Sequence, residues 1–221
     1  MRIGIIGSGH IGGTLTRRLR ALGHEVWVAN SRGKESLGGL ASETGAHPAT
    51  IEEAARNGDV VVVAIPLKAV PDLPAAAFNG KVVVDANNYY PNRDGDIAAL
   101  QSGTPSSRWV ARHLAGASVV KAFNNIYAQH LLESGKLAGA PGRIALPVAG
   151  DDAAAKRTVM SLIDALGFDA VDAGSLDESW RQQPDTPVYT TDHDAPGVRQ
   201  ALADAKQPHS LLARVWSNHA A

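Results

Sequence analysis

The chain contains no cysteine among its 221 residues. This absence excludes disulfide bridges, thiolate metal sites and a cysteine nucleophile, and with them a disulfide-stapled secreted scaffold. Charge of one sign is also missing, because 21 Lys and Arg residues stand against 22 Asp and Glu residues, for a formal net charge of -1. Such a balance leaves no global field to attract nucleic acid or an anionic membrane. We therefore expect neither as a partner, and we expect a cytoplasmic protein.

Long hydrophobic runs are absent as well. The opening stretch reaches Gly7 after only a few apolar residues, too soon for the core of a signal peptide, and no later run approaches about 18 residues. The eight histidines are scattered without the spacing of metal ligands, and neither a G-x-S-x-G nor an H-E-x-x-H motif occurs. The sequence thus predicts no membrane span and no metal site.

What the chain does contain is a regular alternation of strand and helix patterns. Apolar runs predict strands at 2–6, 25–29, 60–65, 81–85, 118–123, 144–149 and 169–172. An amphipathic helix follows the first strand, with Arg17, Arg18 and Arg20 on a side that we expect to be solvated. Further helices are predicted at 107–114 and after Asp151 or Asp152. This βαβ alternation predicts an α/β fold, a doubly wound, mostly parallel sheet of the Rossmann type.

The composition changes near Gly174, where the alternation ends and prolines and aromatic residues become frequent. We interpret residues 1–174 as a dinucleotide-binding Rossmann domain. Residues 175–221 are predicted to form a short C-terminal cap over the core, not an independent domain.

The strongest motif is the loop Gly7-Ser8-Gly9-His10-Ile11-Gly12, directly after the first strand and directly before a helix. In such a loop the first glycine permits a tight turn, the second lets the backbone approach a pyrophosphate, and the third allows close packing of helix on strand. The free N–H groups at the start of the helix favour phosphate. We expect all six residues to bind a dinucleotide.

The segment after the second strand favours NADP over NAD. An NAD-selective fold usually carries a carboxylate there for the ribose 2′-hydroxyl, whereas this chain has Asn30, Ser31, Arg32 and Lys34. A hydroxyl, a guanidinium and an ammonium group together suit a dianionic 2′-phosphate.

Other segments should meet at the same edge, because ligands of open parallel sheets bind beyond the carboxyl ends of the strands. We assign Ile65, Pro66, Leu67, Ala86 and Asn87 to the cofactor, although each segment could also be ordinary turn chemistry. Residues expected to contact a hydride acceptor are Asn124, Asn125, Ile126 and Trp180. The sequence 192–194, Asp-His-Asp, is interpreted as a polar loop. No acid–base residue stands out, which suits hydride transfer, since the cofactor carries that chemistry.

The sequence resembles the deazaflavin-dependent NADP reductases, which move a hydride between NADP(H) and coenzyme F420. The resemblance runs through nearly the whole chain and is carried by the glycine loop, Ser31-Arg32 and the stretches 64–66, 119–124, 147–152 and 172–176. The cytosolic reductase domains of membrane metalloreductases, which pass a hydride from NADPH to a flavin, are similar at 85–88 and 120–124. Both resemblances imply NADP(H) as cofactor, with coenzyme F420 or a flavin as co-substrate, and relatives suggest a homodimer.

Some positions depart from the deazaflavin reductases, which carry a histidine at Asn124, a proline at Tyr127 and a second basic residue at Gly33. Two other interpretations therefore stay open beside hydride transfer to coenzyme F420. One is an NADPH-dependent reductase of a flavin, a quinone or a small carbonyl or imine compound. The other is a non-catalytic NADP(H)-binding redox sensor.

The absence of an acid after the second strand generates the first prediction. Replacing Arg32 with alanine is expected to weaken NADPH binding by about 1 to 3 kcal/mol, the range for a charge-assisted hydrogen bond, and to leave NADH binding nearly unchanged. Titration of both nucleotides by calorimetry measures the difference. Equal losses for the two would contradict a 2′-phosphate role for Arg32.

Overall fold

A single eight-stranded sheet organises the protein in its computed structural model, which describes residues 1–206. The strands are β1 (Arg2–Ile6), β2 (Glu25–Ala29), β3 (His47–Pro48), β4 (Val60–Val63), β5 (Val82–Asp85), β6 (Ser118–Lys121), β7 (Ala145–Gly150) and β8 (Asp169–Asp172). Their order is β3-β2-β1-β4-β5-β6-β7-β8. The chain runs outward from β1 in one direction and then in the other, so the doubly wound α/β prediction is confirmed.

One pair of strands is not parallel. Strand β7 runs antiparallel to β6, with Val120 opposite Gly150 and Lys121 opposite Ala149, whereas β7 and β8 are parallel to each other. Every other neighbouring pair is parallel. Strands and helices still alternate along the chain at this step, but the strand direction does not follow the parallel βαβ pattern. Either direction buries the apolar residues of β7, so its composition cannot predict the reversal.

The helices that cover the sheet are α1 (His10–Ala21), α2 (Gly38–Thr44), α3 (Ile51–Asn57), α4 (Pro91–Asp94), α5 (Ala98–Gln101), α6 (Ser106–His113), α7 (Ala128–Glu133), α8 (Ala153–Ala165) and α9 (Ala195–Asp204). Four short 3₁₀ helices lie between them, at Lys34–Leu37, Leu67–Asp72, Ala75–Phe78 and Leu176–Gln182. Of the two aspartates proposed to cap α8, Asp152 accepts the N–H groups of Ala154 and Ala155. The neighbouring Asp151 pairs with Arg108 instead.

The core lies on both faces of the sheet and follows the two-residue period of the strands. Ile3 and Ile5 of β1 pack in one cluster with α1 and α8, whereas Ile6 packs in the other. A third cluster joins β7 and β8 to α9, the last described helix. The division at residue 174 stays a prediction, and residues 207–221 of the predicted cap lie outside the described residues. Along the described part of the chain, no helix is both long and apolar enough to cross a membrane.

Two strands end earlier than predicted, both at the carboxyl edge. Strand β4 ends at Val63 and not at Ile65, whose N–H donates to the side chain of Asn87 instead of a neighbouring strand. Strand β6 ends at Lys121, and Phe123 takes a left-handed φ of 61° that no regular strand contains. The chain leaves the sheet at these points because its next residues form the walls of a cleft.

The arginine side of α1 is not the solvated face that we expected. Arg18 donates to the carbonyl of Leu132 at the end of α7 and to that of Leu166 after α8, at 3.0 and 2.5 Å. Arg17 pairs with Glu43 at the surface. The two neighbours thus differ in role, since Arg18 joins three helices and Arg17 only α1 and α2.

This difference yields a stability prediction. Replacing Arg18 with alanine should lower the free energy of unfolding by about 1.5 to 3 kcal/mol, because charged hydrogen bonds to two partly buried carbonyls are lost. The matched Arg17→Ala variant should lose less than about 1 kcal/mol, as is usual for an exposed ion pair. Urea unfolding followed by circular dichroism measures both. Equal losses would show that Arg18 does not hold the helices together.

Candidate functional site

The glycine loop between β1 and α1 has the geometry of a phosphate cradle. Gly7 has a φ of 106°, and a Cβ atom there would lie 2.1 Å from the carbonyl oxygen of Ala64. A Cβ atom on Gly12 would lie 1.8 Å from the carbonyl oxygen of Gly7, whereas one on Gly9 would meet nothing within 4 Å. Gly7 and Gly12 therefore serve the close packing of β1, β4 and α1. Gly9, the N-cap of α1, faces open space that a pyrophosphate could occupy.

Two cavities meet at this loop. The smaller has a volume of about 390 Å³ and the larger about 610 Å³. Four residues line both: Gly9, Ala64, Ile65 and Pro66. The two cavities are adjacent, share this wall at the carboxyl ends of β1 and β4, where the strand order reverses, and are together called the groove. Such a switch point is the usual ligand site of open α/β sheets.

The smaller cavity carries two cations. Ser31 and Arg32 line it as predicted, and so does Lys68, which the sequence did not single out. Neither the Arg32 nor the Lys68 side chain has a hydrogen-bond or ion-pair partner among residues 1–206. Lys34 is not brought to this cavity, because its ammonium group lies 2.5 Å from Glu53. The groups of this cavity that could hold a 2′-phosphate are thus those of Ser31, Arg32 and Lys68.

Three other residues predicted to bind the cofactor differ in their relation to this cavity: Asn30, Ser8 and Leu67. The amide of Asn30 donates to the hydroxyl of Ser8 at 2.9 Å, while its oxygen accepts the N–H of Arg32 at 2.9 Å. Asn30 therefore joins the glycine loop to the segment after β2. Leu67 is fully buried and belongs to the core, although we predicted that it contacts the cofactor.

A buried polar network lies beneath the larger cavity, henceforth the large cleft. Asp85 at the end of β5 and Lys121 at the end of β6 have no exposed side-chain surface, and their charged groups lie 3.4 Å apart. Asp85 also accepts the hydroxyl of Ser107 at 2.6 Å. Burial lowers the pKa of Lys121, and the neighbouring Asp85 carboxylate opposes that shift.

This network holds Asn87 in place. The Asn87 N–H donates to Asp85 at 3.0 Å, its carbonyl accepts from the ammonium group of Lys121, and its side-chain oxygen accepts the N–H of Ile65 at 2.8 Å. The side-chain N–H₂ group of Asn87 is buried without a partner among the described residues, in the wall of the large cleft. Since a buried donor of this kind requires an acceptor, it suits a polar group of a bound cofactor. Ala86, also predicted, lines the same wall.

Three of the four residues predicted to bind an acceptor are mostly structural. Asn124 lines the large cleft, but it is 4% exposed and exchanges hydrogen bonds with Gln182 at 2.6 and 3.0 Å. Asn125 is buried, and its carbonyl accepts the N–H of Thr190. Ile126 lines the cleft with one edge and otherwise belongs to the main core cluster. This turn therefore attaches the C-terminal segment to the sheet.

Trp180 does not reach the large cleft. Its half-buried ring packs against the guanidinium of Arg181, 4.7 Å from the ring centre, in the 3₁₀ helix Leu176–Gln182. The same segment does reach the cleft farther along, through Tyr189 and Thr190. The predicted residue Trp180 thus lies outside the lining of the cleft, and Tyr189 is the aromatic residue of the C-terminal segment that lines it.

The outer half of the large cleft consists mainly of residues that the sequence analysis did not select. The Tyr90 and Tyr189 hydroxyls are hydrogen-bonded to each other, and the guanidinium of Arg93 lies 4.9 Å from the centre of the Tyr90 ring. Burial and the Tyr90 hydroxyl raise the pKa of Tyr189. The remaining lining residues of this half are Asn88, Tyr127, Ala128, Gln129, His130 and Thr190. No local pattern could reveal the tyrosine pair, because 99 residues separate its members.

Comparisons with known proteins agree with this geometry. Residues 2–89 match the family described as NADP oxidoreductase, coenzyme F420-dependent. The metalloreductase STEAP3 of Rattus norvegicus is 31% identical over 177 residues, which are 79% of this chain and 34% of that protein. The chain spans a half or less of the length of the curated relatives that it matches.

Two solved structures are similar over most of their length. The hypothetical protein SMa0349 from Sinorhizobium meliloti has a TM-score of 0.75 and 31% identity, and the match covers 87% of this chain and 94% of that one. A candidate F420-dependent NADP reductase from Arthrobacter sp. FB24 has a TM-score of 0.65 and 27% identity, covering 79% and 85%.

The contrast between Gly9 and Gly12 gives a prediction for the loop. Gly9→Val should leave the fold intact, since its Cβ atom meets open space, but should weaken NADPH binding at least about tenfold by filling the cradle. Gly12→Ala should instead lower the melting temperature, because its Cβ atom would overlap the Gly7 carbonyl. Thermal unfolding and fluorescence titration with NADPH separate the two effects. Ordinary NADPH affinity in folded Gly9→Val protein would remove the loop from the site.

Proposed function

We propose that the chain transfers a hydride between NADP(H) and a planar acceptor in the large cleft, in keeping with the match of residues 2–89 to the coenzyme F420-dependent NADP oxidoreductases. We propose the deazaflavin coenzyme F420 as that acceptor. The observation that carries the proposal is the wall of Gly9, Ala64, Ile65 and Pro66 that the two cavities share. A dinucleotide bound along this groove would place its two ends in different chemical surroundings.

The residues at one end of the groove suit the adenosine half of NADP(H). Arg32, Lys68 and the hydroxyl of Ser31 would hold the 2′-phosphate, since two unpaired cations and a donor match a dianion. The N–H groups at the start of α1 would hold the pyrophosphate, which could approach because Gly9 has no side chain.

The residues at the other end suit the reacting half. The unpartnered side-chain N–H₂ group of Asn87 would bind a polar group of the nicotinamide half and thereby orient it. When bound, NADPH supplies the hydride, and the chain contributes position and the exclusion of water. The tyrosine rings and the hydroxyl pair of the outer half would give a planar acceptor a surface to lie against and hydrogen-bond partners.

The proposal includes two further properties, of which the first rests on the composition of the chain and the second on the resemblance to the reductases. We propose that the protein acts in the cytoplasm and that it works as a homodimer. Its partner in the reaction is a small redox molecule and neither nucleic acid nor a membrane, in keeping with its balanced charge.

A panel of acceptors tests the proposed reaction. We expect NADPH oxidation, followed at the nicotinamide absorbance, to show the highest kcat/KM with coenzyme F420 among F420, FMN, FAD and simple quinones. NADH should be the poorer donor, because it lacks the 2′-phosphate. A flavin or quinone that exceeds F420 would identify the reductase alternative. Tight NADPH binding without turnover of any acceptor would favour the redox sensor.

A further inference from the structure

A histidine and an aspartate lie close together at the large cleft, whose outer half His130 lines. The Nδ1 atom of His130, in α7, lies 2.5 Å from the Oδ2 atom of Asp192, at an ion-pair distance but without the angle of a hydrogen bond, so Nδ1 is buried with no hydrogen-bond partner among residues 1–206. Asp192 lies in the C-terminal segment with a left-handed φ of 48°, and Tyr127 packs edge-on against the imidazole with ring centres 5.5 Å apart. Asp192 and Tyr127 thus both contact the imidazole.

Because Asp192 lies against Nδ1, the two imidazole nitrogens of His130 have different surroundings. With Nδ1 against the carboxylate, Nε2 is the nitrogen left to exchange a proton with another molecule. Within residues 1–206, no hydrogen bond reaches the Nε2 atom of His130. The side chain lines the cleft and is 40% exposed, so water can reprotonate it.

The tyrosine pair across the cleft is the rival proton source. Burial and the bond to Tyr90 raise the pKa of Tyr189, so this phenol holds its proton firmly. The imidazole of His130, by contrast, is 40% exposed and lines the cleft. The tyrosines suit binding of the acceptor, whereas His130 suits proton delivery. Glu133, one turn farther along α7, hydrogen-bonds Gln129 and leaves the imidazole to Asp192.

We infer that His130, oriented by Asp192, donates the proton that accompanies hydride transfer to a neutral acceptor. The inference rests on the proposed function. In the reaction, the C–H bond of the dihydronicotinamide breaks and its electron pair forms a new C–H bond on the acceptor, which is thereby reduced while NADPH is oxidised to NADP⁺. The N–H bond at Nε2 breaks, its proton goes to the acceptor's heteroatom, and water restores the imidazolium.

Only some classes of acceptor would need a proton from His130. A neutral acceptor with a nitrogen or oxygen conjugated to the carbon that takes the hydride gains a negative charge there unless a proton arrives. Coenzyme F420, a carbonyl and an imine all belong to this class. Asp192 acts through the histidine and is a positioning residue.

The test measures kcat, KM and the dissociation constant of NADPH for His130→Ala and Asp192→Asn, using the best acceptor of the panel. His130→Ala should lose about 100-fold or more in kcat, the usual range for a general acid, while NADPH binding stays within about twofold. Added imidazole should restore part of this rate, which a purely structural role would not allow. Asp192→Asn should give an intermediate kcat, because the imidazole remains but is no longer oriented by a carboxylate. His47→Ala is the matched control, since His47 faces Glu25 at 3.8 Å on β3, away from the cleft.

The outcomes separate the two proposals. Unchanged kcat in His130→Ala, or a loss that imidazole does not restore, overturns proton donation by His130 and leaves hydride transfer standing. A wild-type protein that binds NADPH but reduces no acceptor overturns the proposed function and the role of His130 with it. Imidazole rescue of His130→Ala, with His47→Ala at the wild-type rate, supports the inference.

Discussion

The ion pair of Asp85 and Lys121 is the interaction on which the cleft depends. Placing two charges where neither has exposed surface costs several kcal/mol per ion unless hydrogen bonds compensate. Here Ser107 and the backbone of Asn87 supply them. The compensation has a geometrical result, since Asn87 is held at both its N–H and its carbonyl. The side-chain oxygen of Asn87 can then accept the N–H of Ile65, so the ends of β4, β5 and β6 form one wall.

A second set of contacts brings the C-terminal segment to that wall. Asn124 and Gln182 exchange two hydrogen bonds, and the Asn124 carbonyl accepts from the amide of Asn88. Phe123 makes this possible, because its left-handed backbone turns the chain away from β6. The outer half of the cleft is thus assembled from segments after β5, after β6 and after β8. The cofactor half is built almost entirely from the first 89 residues, and the family match at residues 2–89 lies on that half.

Local patterns predicted most of the sheet and the glycine loop, because strand period, glycine spacing and the following helix all lie within a few residues of one another. Long-range pairings could not be predicted in this way. Lys34 has the charge for a phosphate but pairs with Glu53, and Lys68 lines the cavity although only the three residues directly before it were assigned to the cofactor. The direction of β7 depends on how the chain returns after α7, which the composition of β7 does not record.

The Asp-His-Asp stretch at 192–194 shows how sequence neighbours can mislead. Asp192 turns to His130, 62 positions earlier, and Asp194 accepts the N–H of Gly197 to cap α9, so neither carboxylate orients His193. The glycine loop offers backbone groups to the cofactor, whereas hydroxyl, amide and imidazole side chains line the outer half of the large cleft. A backbone cradle changes little with side-chain substitution, but a wall of side chains can be rebuilt one residue at a time. The choice of cofactor is therefore the more constrained property of this fold, whereas individual side chains decide which acceptor the cleft binds.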